Sequence, residues 1–229
     1  MIRIEQDKDL KNYGGGKITD VNEWSNDDPR DSDPTWIDRY KYESTLISDV
    51  IQKNNIVKIL ELGSGPGQLG QFIQESNKDI KYDFVDRIYA KNSFEKRKYK
   101  GRFFVKDLIS GFDVLELETD YDLVVANDFL EHITNPCDIM MKIYKITKPK
   151  SNIFISVPNW RMGHNFIYRG LFDYDNFLYF CHVHGYEMDD VCMSPLKCNP
   201  LPKLSSESSM PDELISSWNW YFSGHKLTE

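Results

Sequence analysis
Residues 61 to 70 read ELGSGPGQLG and close a short apolar run, IVKILEL. Glu61, Gly63, Gly65 and Gly67 fit E-x-G-x-G-x-G, while Gly65, Gly67 and Gly70 fit G-x-G-x-x-G, the spacing of dinucleotide sites. Glycine lacks a Cβ and tolerates positive φ, so either pattern lets backbone approach a ligand closely. The two patterns imply different chemistry. A pyrophosphate rests on the helix N-terminus behind its loop. A nucleoside that carries an ammonium and a sulfonium has no phosphate to place there. Glu61 suits those cations and suits a pyrophosphate poorly.

Further polar residues follow at the ends of later apolar runs. Asp86 ends IKYDFVD, 19 residues beyond Gly67, where a carboxylate can accept both ribose hydroxyls of either nucleoside. Asp107 ends RFFVKD, a position from which a carboxylate can accept an adenine amine. YDLVVANDFLEH then brings Asn127, Asp128, Glu131 and His132 just past a fourth run. His132 is the candidate general base, because imidazole is the side chain whose ordinary titration lies near neutrality. A packing role at a helix start is the plainer alternative for it. Cys181, His182 and His184 with Cys192 or Cys198 contain zinc-ligand types, but their spacing fits no standard finger.

These residues need a scaffold, and the pattern of apolar positions supplies one. Trp36, Ile37, Tyr40, Leu46, Ile47, Val50 and Ile51 recur at helical spacing from Pro34 to about Asn54, with Asp33 as N-cap. Strands are expected at 56–62, 80–86, 102–107, 121–127, 152–158, 186–193 and 217–227. Helices are expected at 68–75, 136–147 and 173–185, and residues 195–211 read as a loop. Apolar strands alternating with helices imply a doubly wound α/β domain with a mainly parallel, seven-stranded, Rossmann-like sheet. Such sheets bind ligands at the carboxyl ends of their strands, where the glycine loop falls. Residues 1–32, with GGG and SNDDPRDSDP, read as an N-terminal arm or lid ahead of a domain spanning 33–229. Dense aromatics between Phe166 and Phe180, with Trp24, Trp36 and Trp160, offer core and pocket walls.

Composition narrows the partners. The chain has 229 residues and a net charge of −8, a poor match for a phosphate backbone. The basic run KNSFEKRKYKGR (91–102) reads as a solvated turn. No signal-like or membrane-spanning apolar segment is visible, so a cytoplasmic protein with free thiols is expected. The oligomeric state is left open.

Taken together, ILELGSGPGQLG, Asp86, VKDL, YDLVVANDFLEH and ISVPN resemble class I S-adenosylmethionine-dependent methyltransferases over about residues 57–160. Within that family the chain resembles the subgroup with an L-E-H motif after the fourth strand, which includes ubiquinone O-methyltransferases and sugar methyltransferases. The resemblance implies S-adenosylmethionine as cofactor and methyl transfer to a small-molecule substrate by in-line displacement. Gly63, Gly65 and Gly67 would form the loop, Glu61 would support the methionine end, and Asp86 would hold the ribose. Asp107 and Leu108 would border the adenine, and Asn127 and Asp128 the methionine tail. No metal is expected. The alternatives are a nucleic-acid 2′-O-methyltransferase, a nicotinamide oxidoreductase and a nucleotide-binding module without catalysis. For the first, Asp128, Glu131 and His132, with His182 or His184, would resemble the metal-binding E-x-x-E-H set of small-RNA methyltransferases.

Overall fold
A computed structural model describes residues 34–86, 88–106, 108, 117–159, 168–193, 197–200 and 219–228. The arm 1–32 and the Asp33 cap lie outside the described residues. Helix α1 (Pro34–Asn54) leads into β1 (Lys58–Leu62), α2 (Gln68–Ser76), β2 (Lys81–Asp86), α3 (Ile88–Arg97) and β3 (Arg102–Val105). The chain continues through β4 (Tyr121–Asn127), a 3-10 turn (Leu130–His132), α4 (Pro136–Ile146) and β5 (Thr147–Pro158). A second 3-10 turn (Arg169–Phe172), α5 (Tyr174–Val183), β6 (Tyr186–Met193), β7 (Lys197–Pro200) and β8 (Asn219–Lys226) complete it.

The strands form one sheet in the order β3-β2-β1-β4-β5-β8-β6-β7. From β3 to β5 every pairing is parallel. β8 returns antiparallel between β5 and β6, and β7 extends the far edge. The chain winds outward from β1 to β3 and then crosses back to β4. That reversal opens a crevice beside the carboxyl ends of β1 and β4.

Both faces are covered, which is why the central strands are continuous apolar runs. On one face Ile139, Met140, Ile143 and Ile146 of α4 and Phe177, Phe180 and Cys181 of α5 pack on Leu60, Val124, Ile153 and Phe222. On the other, Leu46, Ile47 and Ile51 of α1, Leu69 and Ile73 of α2 and Phe94 of α3 pack on Ile59, Phe84, Val125 and Tyr221. At the amino ends of the strands, Asp83 is buried and takes the Arg102 guanidinium at 2.8 and 2.5 Å and the Tyr121 hydroxyl at 2.7 Å.

The expected doubly wound, mainly parallel sheet is present, with three differences of detail. β7 is an eighth strand, formed inside the stretch read as a loop, where Asp190 to Met193 pair with Lys197 to Pro200. The basic run does not form a turn at its start. Residues 91–97 continue α3, which buries Ala90 and Phe94 and turns its lysines outward. The free-thiol expectation holds for Cys137 and Cys181, whereas Cys192 is disulfide-bonded.

Candidate active site
The glycine loop connects β1 to α2, and its three alternating glycines are all left-handed, with φ of 67° at Gly63, 54° at Gly65 and 91° at Gly67. A Cβ at Gly63 would lie 2.5 Å from the Phe129 ring, and one at Gly67 would lie 2.9 Å from Phe94. Gly65 differs, since a Cβ there would meet nothing within 4 Å. Its bare backbone therefore faces open space, as a close-approach position requires. Gly70 is helical, and its Cβ would strike Phe84 at 2.4 Å. The last glycine of G-x-G-x-x-G thus serves helix-to-sheet packing. The loop is braced by β2: the amides of Gly63 and Ser64 donate to the Val85 carbonyl at 3.0 and 3.2 Å. The Gly65 amide donates to Asp86 Oδ2 at 2.6 Å.

Beneath the loop, Glu61 is 3% exposed, and its Oε2 has no hydrogen-bond partner among the described residues. Burial pushes this carboxyl up to about 8, opposed by the nearby Tyr82 hydroxyl and reinforced by the charges of Glu43 and Asp86. A buried acceptor left in this state suits a donor that arrives with a ligand, above all a cationic one.

At the end of β4 a polar network ties three strands, β4, β5 and β8, to α1. Arg39 donates Nε to Glu43 Oε1 at 2.7 Å and Nη2 to Asp128 Oδ2. Asp128 Oδ1 accepts from Ser156 Oγ and from Asn219 Nδ2, both at 2.7 Å. Glu43, fully buried, also accepts from the Tyr221 hydroxyl and from Asn127 Nδ2, each at 3.1 Å. Burial pushes Glu43 up and Arg39 pulls it back. Burial lowers Arg39, but Asp128 and Glu43 outweigh it and hold the guanidinium well above its ordinary value. Asn127 Oδ1 is buried with no partner among the described residues. Asp128 therefore stands at the expected strand end, but as the keystone that docks α1.

Asn127 and Asp128 stand where the sequence places candidate site residues, whereas Arg39, Glu43, Ser156, Asn219 and Tyr221 join them only through the fold. One signal was present. Glu43 occupies the apolar stripe of α1, between Tyr40 and Ile47, where a carboxylate must find a partner.

His132 lies on the 3-10 turn after β4, with a quarter of its side chain exposed and its Nε2 3.7 Å from Glu131 Oε1. Glu131 is fully buried, and burial, with Asp128 adding repulsion, raises its carboxyl well above the ordinary range. Leu108 is buried in the core beside Leu62 and Val85, and Asp107 lies outside the described residues. Among the described residues no group of three or more His, Cys, Asp or Glu is arranged to hold a metal. His182 Nδ1 lies 3.0 Å from Glu187 Oε2 and His184 Nδ1 lies 2.7 Å from the Phe180 carbonyl, so neither joins Asp128. Nor do they form a zinc set with Cys181, which is buried at 0% exposure.

Residues 25–189 match the family model described as Methyltransferase domain, and the chain belongs to that family. It is a methyltransferase. No curated protein matches the sequence. Among solved structures, the plantazolicin methyltransferase BpumL in complex with S-adenosylhomocysteine shares 15% identity at a TM-score of 0.66, covering 92% of each chain. The plantazolicin methyltransferase BamL, in complex with a triazolic desmethyl-plantazolicin analogue and S-adenosylhomocysteine, shares 15% at 0.65, covering 87% of this chain and 89% of that one. A methyltransferase from Clostridium acetobutylicum shares 14% at 0.59, covering 82% and 92%. At such identities the likeness is one of fold.

No helix among the described residues is long and apolar enough to cross a membrane.

Proposed function
We propose that this enzyme methylates a small-molecule acceptor, with the cofactor nucleoside against the Gly63–Gly67 loop and its methionine end between β1 and β4. The observation that carries this reading is the pairing of an open Gly65 backbone with a buried Glu61 directly beneath the loop, whose Oε2 has no hydrogen-bond partner among the described residues. The bound cofactor supplies a methyl group already activated on a sulfonium. The chain's own residues have to align the acceptor with it and exclude water. Asp86 is suited to the ribose, and Leu108 borders the adenine side. His132, partly exposed beyond β4, would take the acceptor's proton where the acceptor is an alcohol or phenol. The L-E-H motif it belongs to resembles that of the ubiquinone and sugar methyltransferases, which fits such an acceptor.

Two alternatives fit less well. A pyrophosphate over the loop would meet the repulsion of Glu61 once that group ionises. A metal-assisted nucleic-acid enzyme needs Asp128 as a ligand, yet both oxygens of that carboxylate are engaged by Arg39, Ser156 and Asn219. The net charge of −8 opposes a polyanionic substrate as well. The test uses methyl-labelled S-adenosylmethionine with a cell extract divided into a small-molecule ultrafiltrate, a protein fraction and a nucleic-acid fraction. Label is expected in the ultrafiltrate, and label confined to nucleic acid would reverse the assignment.

A further inference from the structure
We propose that Glu43 of α1 is a positioning residue: it fixes the Asn127 side-chain amide so that the Asn127 carbonyl and Glu61 form a two-acceptor seat for the ammonium of the cofactor's amino-acid tail. This rests on the S-adenosylmethionine reading of the site.

The register of the sheet brings the pieces together. Glu61 pairs with Val125 and with Phe84 across parallel ladders. Alternate residues of a strand share a face, so Asn127 and Asp86 lie on the same face as Glu61. That face is the one α1 covers, since Val125, Phe84 and the α1 residues Leu46 and Ile47 share one core. Glu43 therefore reaches Asn127 from above. Two buried acceptor atoms, Glu61 Oε2 and Asn127 Oδ1, are left unpartnered there among the described residues.

The orientation of Asn127 follows from counting donors. Arg39 Nε and the Tyr221 hydroxyl both donate to Glu43 Oε1, at 2.7 and 3.1 Å. Glu43 Oε2 remains, and a carboxylate oxygen offers only lone pairs to an amide. Asn127 must turn its NH2 toward Glu43, which it does at 3.1 Å, and this points its carbonyl away. Without Glu43 the amide has no reason to prefer that orientation. Glu61 already feels the negative charges of Glu43 and Asp86, so a cation between these groups relieves repulsion as well as filling two vacant acceptors. Recognition of the tail is thereby coupled to the docking of α1.

The sharpest variant is Glu43→Gln, which keeps the shape. Two donors still point at the Oε1 position, so the new carboxamide must place its oxygen there and its NH2 toward Asn127. Asn127 then has to reverse, presenting NH2 where the ammonium should sit. Calorimetry on the full chain would compare S-adenosylhomocysteine with 5′-methylthioadenosine, which lacks the amino-acid tail. Hydrogen bonds to charged groups imply that Glu43→Gln weakens S-adenosylhomocysteine about tenfold or more, with methylthioadenosine held within about twofold. Adding Asn127→Asp should restore binding, since a carboxylate can accept from the glutamine amide and from the ammonium at once. Asn127→Ala, with Glu43 intact, should show the same selective loss even if the Glu43 variant folds poorly. Equal losses for both ligands, an unchanged S-adenosylhomocysteine affinity, or no rescue by Asn127→Asp would each overturn the proposal. Failure of the wild type to bind either ligand would instead reject the cofactor reading.

Discussion

Replacing Glu61 by glutamine should make the ligand-free protein more stable at alkaline pH while weakening its hold on the cofactor. Burial carries this carboxyl from its ordinary 4.5 to about 8. Between those values the native state keeps a proton that the unfolded chain has released. Stability must therefore fall as pH rises from about 4.5, with the full penalty present above about 8. The displacement corresponds to about 5 kcal/mol when complete. Glutamine resembles the protonated form and never ionises, so it escapes the penalty. Wild type and Glu61→Gln should melt together near pH 5 and diverge as pH increases. For a chain of this size the gap at pH 8.5 should reach on the order of 10 °C. The assay is thermal unfolding without ligand at half-unit steps of pH, read as the difference between the two proteins so that other titrating groups cancel. Parallel curves would refute the reasoning, because a carboxyl with an ordinary pKa contributes no slope in that range. Calorimetry on the same pair should show weaker S-adenosylhomocysteine binding in the variant, which has lost the charge that matches the ammonium.

Asp86→Ala should leave the fold intact and weaken S-adenosylhomocysteine by an amount on the order of 1.5–3 kcal/mol for each charged hydrogen bond lost; an unchanged dissociation constant would remove Asp86 from the site. Two glycine variants should separate cleanly. Gly65→Ala has room for its methyl, so it should impair cofactor binding more than stability beyond about 1–2 kcal/mol of left-handed strain. Gly70→Ala should instead lower the melting temperature, because its methyl would sit 2.4 Å from Phe84, an overpacking that costs roughly 1–3 kcal/mol. His132→Ala should reduce kcat by about 10²–10⁴ for an acceptor that keeps its proton, with cofactor affinity unchanged. Turnover within a few-fold of wild type, paired with a lower melting temperature, would make His132 a packing residue.

The loop and the strands around it were legible because their signals are local. ILEL and LVVA are buried on both faces and read as apolar runs, and Gly63, Gly65 and Gly67 are required by positive φ. α3 was hidden because its buried Ala90 and Phe94 stand among charged neighbours that mask any periodicity. β7 was hidden by Pro200 and by taking its partner from β6 a few residues earlier. The α1 network was hidden for a different reason. A carboxylate on an apolar stripe announces that Glu43 needs partners, but sequence does not say which. Tyr221 lies 178 residues away, and the Asn219 that steadies Asp128 lies 91 away. Those contacts exist only because β8 inserts beside β5, a topological fact that residue spacing does not carry.

The most direct test of the account is a calorimetric titration with S-adenosylhomocysteine at pH 7, without added metal, repeated in buffers of different ionisation enthalpy. Glu61 is mostly protonated in the empty protein and should ionise when the ammonium arrives, so binding should release close to one proton. Glu61→Gln should bind without that release. Heat with NADH and none with S-adenosylhomocysteine would contradict the site assignment, and binding with no net proton release would contradict the role given to Glu61.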